Sequence, residues 1–236
     1  MLSVLKNAWK VADIRKKILF TLGIILLFRL GSAVPVPFFS AEALDQLFSS
    51  STMQGSLFGY FNMLSGDAFA KGNLFALSIS PYITASIVIQ LLTIAIPALE
   101  RLAQQGEEGR KKITAITRIV TVVLALVTSI GYAMFLANYD MLVVDKPNFF
   151  QYAVIVACYC AGASLIMWLG EQINDHGIGN GISIILFANI IAGFRSMAQN
   201  VWDLATSDKL HIAVGIILAV VQVLLILGMI VLIVWM

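Results

Sequence analysis

The residues best equipped for chemistry in this 236-residue chain lie in one short stretch: Glu171, Asp175 and His176, followed by Gly177-Ile178-Gly179-Asn180-Gly181. Two carboxylates beside an imidazole are the ingredients of proton transfer. No nucleophile accompanies them, and the stretch separates two apolar segments. It reads as a helix end, a tight turn and a new helix start, with the glycines supplying positive φ. The Gly-x-Gly-x-Gly spacing invites a phosphate, yet no strand precedes it and no Lys or Arg stands in it. Cys158 and Cys160 have no His nearby to suggest a metal site. Two positions apart on a helix, they point to opposite sides, as small core or lipid-facing residues. No catalytic residue, metal ligand or cofactor is expected.

The elements that carry these residues are apolar to a degree foreign to soluble domains. Hydrophobic residues make up 60% of the chain and charged ones 12%, against about 25% charged in a typical globular chain. That balance excludes a cytosolic enzyme, a disordered chain and a nucleic-acid binder of the basic-patch kind. Crossing a bilayer takes about 20 mostly apolar residues. Such runs occur at 18–34, 74–99, 113–137, 149–170, 181–198 and 211–236, with no Asp or Glu in their interiors. The fold class expected is an all-α polytopic membrane protein with six transmembrane helices. The first run follows a basic tail without a small-residue cleavage site, so it reads as a retained helix.

Basic residues set the orientation. Lys6, Lys10, Arg15, Lys16 and Lys17 precede the first run, and Arg101, Arg110, Lys111 and Lys112 follow the second. Opposite them stand Lys71, Lys146, Arg195 and Lys209. This asymmetry puts the N-terminus in the cytoplasm. An apolar run still open at Val234-Trp235-Met236 reads as the N-terminal part of a longer protein.

Between the first two runs, residues 35–73 open on Pro35-Val36-Pro37, a rigid extended exit. They then hold Leu57, Phe58, Tyr60, Phe61, Met63 and Leu64 among glycines. Such a stretch is too short to span and too apolar for water. An interfacial helix and a re-entrant half-helix fit the residues equally. Arg29 and Arg118 are expected to snorkel to the two interfaces, a reading favoured for Arg29 over buried pairing. Pro81 is expected to kink the second span or free a carbonyl. Ala85 and Ser86 leave room for a neighbouring helix.

Several motifs then stand out in order along the chain. They include Phe28-Arg29-Leu30-Gly31 with Val34-Pro35-Val36-Pro37, and Ser80-Pro81-Tyr82-Ile83-Thr84-Ala85-Ser86 running on to Gln90-Leu91-Leu92. Gly106-Glu107-Glu108-Gly109-Arg110-Lys111-Lys112 follows, and then Trp168-Leu169-Gly170-Glu171-Gln172-Ile173 with Gly177-Ile178-Gly179-Asn180-Gly181-Ile182-Ser183. In these motifs the chain resembles the SecY family, the channel subunits of the bacterial protein translocase.

The resemblance implies a ten-helix channel of two pseudo-symmetric halves, of which this chain carries helices one to six. Residues 1–17 would be a cytoplasmic tail and 18–198 the first five-helix half. Residues 199–236 would be an outer loop and the sixth helix. It favours the re-entrant reading, with a plug at 56–71 that includes Leu57, Phe58, Tyr60, Phe61, Met63 and Leu64. It implies a pore ring from Ile79, Ile83, Leu186 and Ile190. Leu186 departs from the isoleucine associated with that place, and each pair is spaced to share a helix face. Ile87, Gln90 and Ser129 would belong to a lateral gate on spans two and three. The implied function is passage of unfolded secretory polypeptides, with lateral release of apolar helices into lipid and no chemistry in this chain. The implied partners are the small subunits SecE and SecG, the motor ATPase SecA, the ribosome, signal sequences and lipid, with no nucleic acid bound directly. The setting would be the bacterial cell membrane. An ion-coupled transporter of inverted repeats is the rival, weakened by the lack of a mid-span carboxylate.

Overall fold

The computed structural model describes residues 11–40, 43–44, 47–48, 57–139, 141–142, 148–206 and the single positions Val221, Leu224 and Gly228. Among them are seven helices: α1 (Ala12–Ser32), α2 (Leu57–Ser65), α3 (Ser80–Ala95), α4 (Pro97–Gln104), α5 (Glu107–Asn138), α6 (Phe149–His176) and α7 (Gly181–Thr206). Two compact units are present, Met1–Ile190 and Ile191–Met236. The first holds every contact discussed below. The described part of the second is the remainder of α7 with the three single positions.

Local chemistry sets the helix ends. Gly106 enters α5 at φ +72, and Glu107 and Glu108 follow in the first turn, where carboxylates oppose the helix dipole. At the start of α6 the Asn148 N–H donates to Gln151 Oε1 at 3.0 Å, part of a capping box. Asn180 Oδ1 accepts from the Ile182 N–H at 3.0 Å and caps α7.

Two helices, α5 and α6, are long and apolar enough to cross a membrane. The α3–α4 pair qualifies as a third only if counted together, because it bends by 100° at its break. This corrects the expected second span at 74–99, since regular helix begins only at Ser80. Pro81 does not kink it. The ring sits in the first turn, where no intrahelical N–H is needed and φ is already suitable. The break falls instead before Pro97, which holds Ile96 in an extended conformation (ψ 113). The expected run at 211–236 lies outside the described residues, the three single positions apart.

Two apolar clusters hold the first unit. One joins Ile24 and Phe28 of α1, Phe75 and Ile79, Ile166, Leu169 and Ile173 of α6, and Ile185 of α7. Phe28 and Phe75 stack at 5.4 Å. The other joins Val36, Leu44, Phe69 and Ala76 to Tyr132 and Leu136 of α5 and Ile155 and Tyr159 of α6. Outward residues such as Leu22, Leu26 and Leu30 on α1 are exposed, as suits helices whose solvent is hydrocarbon. Ala85 is fully buried where α3 packs on α5.

Close backbone approach is the decisive packing device. A Cβ on Gly162 of α6 would sit 2.1 Å from the Leu74 carbonyl oxygen, and one on Gly181 would sit 2.0 Å from that of Gly170. A Cβ on Gly131 of α5 would meet nothing within 4 Å. Gly162→Ala is therefore expected to destabilise the fold by about 1–3 kcal/mol, the usual cost of overpacking. Gly131→Ala is expected to be neutral or to stabilise by up to ~1 kcal/mol through helix propensity. Thermal unfolding of both variants in detergent checks the contrast.

Candidate functional site: an inserted helix and its cradle

The chain leaves α1 as the extended segment foreseen at Pro35-Val36-Pro37. This exit becomes one side of a short pairing with residues 72–74. Pro35 and Asn73 form an antiparallel bridge. The Leu74 N–H donates to the Val34 carbonyl at 2.8 Å, and the Val36 N–H donates to that of Gly72 at 3.2 Å. Asn73 Nδ2 donates to the Ser32 carbonyl at 2.7 Å and so caps the end of α1.

Ahead of that pairing stands α2, nine residues long. Its last turn folds into a compact knot. Asn62 Nδ2 donates to Asp67 Oδ1 at 3.1 Å, and Asn62 Oδ1 accepts from the Ala70 N–H at 2.8 Å. Ser65 Oγ accepts from the Phe69 N–H at 2.9 Å. The turn passes through Gly66 (φ +63) and Asp67 (φ +68), residue types that tolerate the left-handed region. Two tyrosines from the long helices hold the return. Tyr132 donates to the Phe69 carbonyl at 2.6 Å and Tyr159 to that of Gly72 at 3.2 Å.

A third set of contacts reaches the C-terminal end of α2. Ser78 Oγ donates to the Leu64 carbonyl at 3.1 Å, and Asn189 Nδ2 of α7 donates to the same oxygen at 2.9 Å and to Ser78 Oγ at 3.2 Å. Asn189 is fully buried, and among the described residues its Oδ1 has no hydrogen-bond partner.

Residues 65 and 68–70 are buried, which favours an inserted segment over one lying on a surface. On α2 itself Tyr60, Phe61 and Met63 are exposed and Leu64 is half-buried, while Phe61 stacks on Phe69 at 6.2 Å. Leu57 and Phe58 belong to the first turn of α2. Ile79 is buried in the α1–α6–α7 cluster, and Ile83 and Leu186 pack against that same cluster. Ile190 is 46% exposed. Ile87 and Gln90 are exposed on α3, the latter donating to Ser86 Oγ, whereas Ser129 is buried and donates to the Ala125 carbonyl of its own helix.

Both arginines have partners within the fold. The Arg29 guanidinium donates to the Ala188 carbonyl of α7 and lies 5.9 Å from the Phe28 ring centre, within the electrostatic reach of Asp67. The Ala188 carbonyl has a second lone pair free for this bond. Arg118 Nε instead pairs with Glu171 Oε1 at 2.7 Å, tying α5 to α6. That pairing also takes Glu171 out of any acid–base cluster. His176 tilts against Phe20 at 5.7 Å, and Asp175 is exposed.

The helix–turn–helix reading of 171–181 holds, but the role of the glycines needs correction. Only Gly179 has positive φ (+73). Gly177 and Gly181 are needed for space, because a Cβ on Gly177 would meet Thr21 Oγ1 at 2.7 Å. Thr21 Oγ1 also accepts from the Ile178 N–H at 3.1 Å, and Asn174 Oδ1 accepts from that of Gly181 at 2.7 Å.

Charge was the signal followed in the sequence, and it missed the residues that hold the inserted segment: Asn62, Asn73, Ser78, Tyr132, Tyr159 and Asn189. A neutral polar side chain inside an apolar run was the usable signal, since such groups seek partners across helices.

These features define a polytopic helical membrane protein in which the irregular return that follows a short helix is packed among the longer helices. The SecY family model matches residues 73–236, and the chain belongs to that family. It is similar to the protein translocase subunit SecY of Buchnera aphidicola from Acyrthosiphon kondoi and of Escherichia coli K12. Each is 41% identical over 212 residues, covering 89% of this chain and 59% and 47% of the respective relatives. The Streptomyces scabiei subunit is 39% identical over 228 residues, 93% of this chain and 52% of that one. The chain thus spans about half the length of the curated relatives it matches. Among solved structures, a protein conducting channel and the channel of the canine ribosome-channel complex from the endoplasmic reticulum share its fold. Each has a TM-score of 0.51 at 17% identity, covering 83% of this chain and 39% of the other.

The tyrosine bonds differ in length. Each acceptor keeps a backbone donor when its tyrosine is changed to Phe, Gly72 O the Val36 N–H and Phe69 O the Gly72 N–H. Tyr159→Phe removes the 3.2 Å bond and is expected to cost under ~1 kcal/mol. Tyr132→Phe removes the 2.6 Å bond and is expected to cost about 1–1.5 kcal/mol. Melting temperatures in detergent should rank Tyr132→Phe below Tyr159→Phe.

Proposed function

We propose that this chain forms the first half of the wall of a protein-conducting channel, six transmembrane helices with a plug at 56–71, in the bacterial cell membrane. The observation that carries this reading is the buried, irregular return that follows α2 in a member of the SecY family. Membranes tolerate irregular backbone only where protein or a wet cavity surrounds it. In this reading residues 1–17 and the 100–112 loop face the cytoplasm, 18–198 make the first five-helix half, and 199–236 begin the second.

Ile79, Ile83, Leu186 and Ile190 contribute to an aliphatic constriction. Three of them meeting at one apolar cluster supports this assignment. An apolar constriction opposes water and ions by dewetting, and offers a passing polypeptide no hydrogen bonds that would hold particular sequences back. Residues Leu57, Phe58, Tyr60, Phe61, Met63 and Leu64 add a second seal on the outer side. Ile87, Gln90 and Ser129 mark the side from which apolar segments leave for lipid; exposed Ile87 and Gln90 fit that role directly. SecE and SecG would complete the channel, with SecA or the ribosome delivering polypeptides that carry signal sequences.

Replacing Ile83 with Asn in the full-length channel is expected to wet the constriction. It should raise resting ion conductance and restore export of a substrate with a defective signal. Leu91→Asn, on an exposed position of the same helix, is expected to do neither. Equal behaviour of the two variants at equal abundance would remove Ile83 from the pore.

The orientation has its own check. Cysteines at Gln104 and Asn148, with Cys158 and Cys160 replaced by serine, are probed in sealed cells with an impermeant thiol reagent. Only the second should label; labelling at position 104 would invert the topology.

A further inference from the structure

The C-terminal carbonyls of a helix have no intrahelical donor and must find one elsewhere. In α2 the chain turns away at Gly66, and the Leu64 carbonyl is met by two side chains from outside the helix, Ser78 Oγ and Asn189 Nδ2. Asn189 Nδ2 also reaches Ser78 Oγ at 3.2 Å. The three groups therefore form a closed triangle in which Ser78 donates to the carbonyl while accepting from the amide. Networks of this kind strengthen one another in a dry interior. The triangle also fixes the amide orientation, because the flipped form would set Oδ1 against the Leu64 oxygen.

We propose that Asn189 and Ser78 are a releasable latch that holds α2 in its docked position by capping the Leu64 carbonyl. This proposal rests on the channel reading for its consequence, the threshold for opening. It rests on geometry alone for the latch itself.

Two observations make the latch releasable rather than a permanent anchor. Asn189 Oδ1 is buried without a partner, so the docked state leaves one good acceptor dry. Water entering as α2 departs would satisfy it, which limits how tightly the docked state can be held. The second observation is the position of the contact relative to the turn. A Cβ on Gly66 would meet the Asn189 carbonyl oxygen at 3.1 Å and Oδ1 at 3.2 Å, so Asn189 packs directly on the residue where the chain reverses. Beyond that residue the return is tied separately, by Tyr132, Tyr159, Asn73 and the pairing with 34–36. The moving piece is thus α2 as far as Gly66: its departure also breaks the Asn62 and Ser65 bonds to Asp67, Phe69 and Ala70, while residues 72–74 stay in place.

The test uses the full-length chain assembled with its partner subunits. Asn189→Leu keeps volume and removes the donor; Ser78→Ala removes the other donor without adding bulk. Hydrogen exchange in α2 is expected to quicken about tenfold in Asn189→Leu, with residues 72–74, whose amides bond outside α2, unchanged. Ser78→Ala should act in the same direction, and the double variant should add little, as for groups that work as one unit. Resting conductance in planar bilayers should rise in parallel. Unchanged exchange in α2 in Ser78→Ala and Asn189→Leu, at wild-type melting temperature, overturns the latch. Equal quickening of α2 and 72–74 also overturns it, since the return would then be part of the same unit. Faster exchange without a rise in conductance, where Ile83→Asn does leak, overturns the threshold role. If Ile83→Asn does not leak either, the constriction assigned in the channel reading fails, and exchange still decides the latch.

Discussion

Inside a bilayer a backbone carbonyl or N–H that leaves a helix has no water to turn to. The region from residue 62 to residue 79 departs from regular helix after Ser65, so its polar groups must be satisfied by the rest of the protein. Tyr132 and Tyr159 from the two long helices and Asn189 from α7 supply much of what is missing. Each of those side chains has a fixed place on its own helix, and Asn73 of the segment in turn caps the Ser32 carbonyl of α1. Satisfying the segment therefore ties α1, α5, α6 and α7 together around it. The inserted piece is less a guest in a finished bundle than the template about which the bundle is aligned.

Close approach of backbones serves the same end. Gly162 brings α6 against the Leu74 carbonyl, and Gly181 brings the start of α7 against that of Gly170. Lipid tails are as apolar as leucine, so helix association in a membrane depends on packing and polar contacts more than on burial. Glycines where helices cross, together with polar side chains where backbone breaks, are the two devices that remain. The outward faces can then stay plain, as the exposed leucines of α1 are.

In the proposed channel, a seal that must also open would need contacts of graded strength. The return segment is tied by several independent bonds to two long helices and to the exit segment. The helix before it meets a small triangle at its end, with one acceptor left without a partner among the described residues. Apolar clusters beside them favour dryness without directional bonds. On that proposal the wall would yield first at this polar joint, while the cradle around it keeps its shape.

The composition alone determined that the chain lives in a membrane, because 60% hydrophobic residues leave too little polar surface to coat a soluble domain. Period and length marked α5 and α6, and the helix–turn–helix at 171–181 was legible from its glycines and Asn180. Quoted motifs such as Ser80-Pro81-Tyr82-Ile83 carried the family. Other features were decided only in three dimensions. The start of α3 at Ser80 depends on where Leu74 meets α6, which no local pattern records. Arg29 found a carbonyl on α7, 159 positions along the chain. Glu171 and His176, adjacent in sequence to Asp175, were drawn to Arg118 and Phe20. Hydropathy reports how a residue feels about lipid and is silent about which distant donor meets which free carbonyl. That choice belongs to the tertiary structure, because hydrogen bonds reach only about 3 Å and the groups that make them here are brought together by the fold alone.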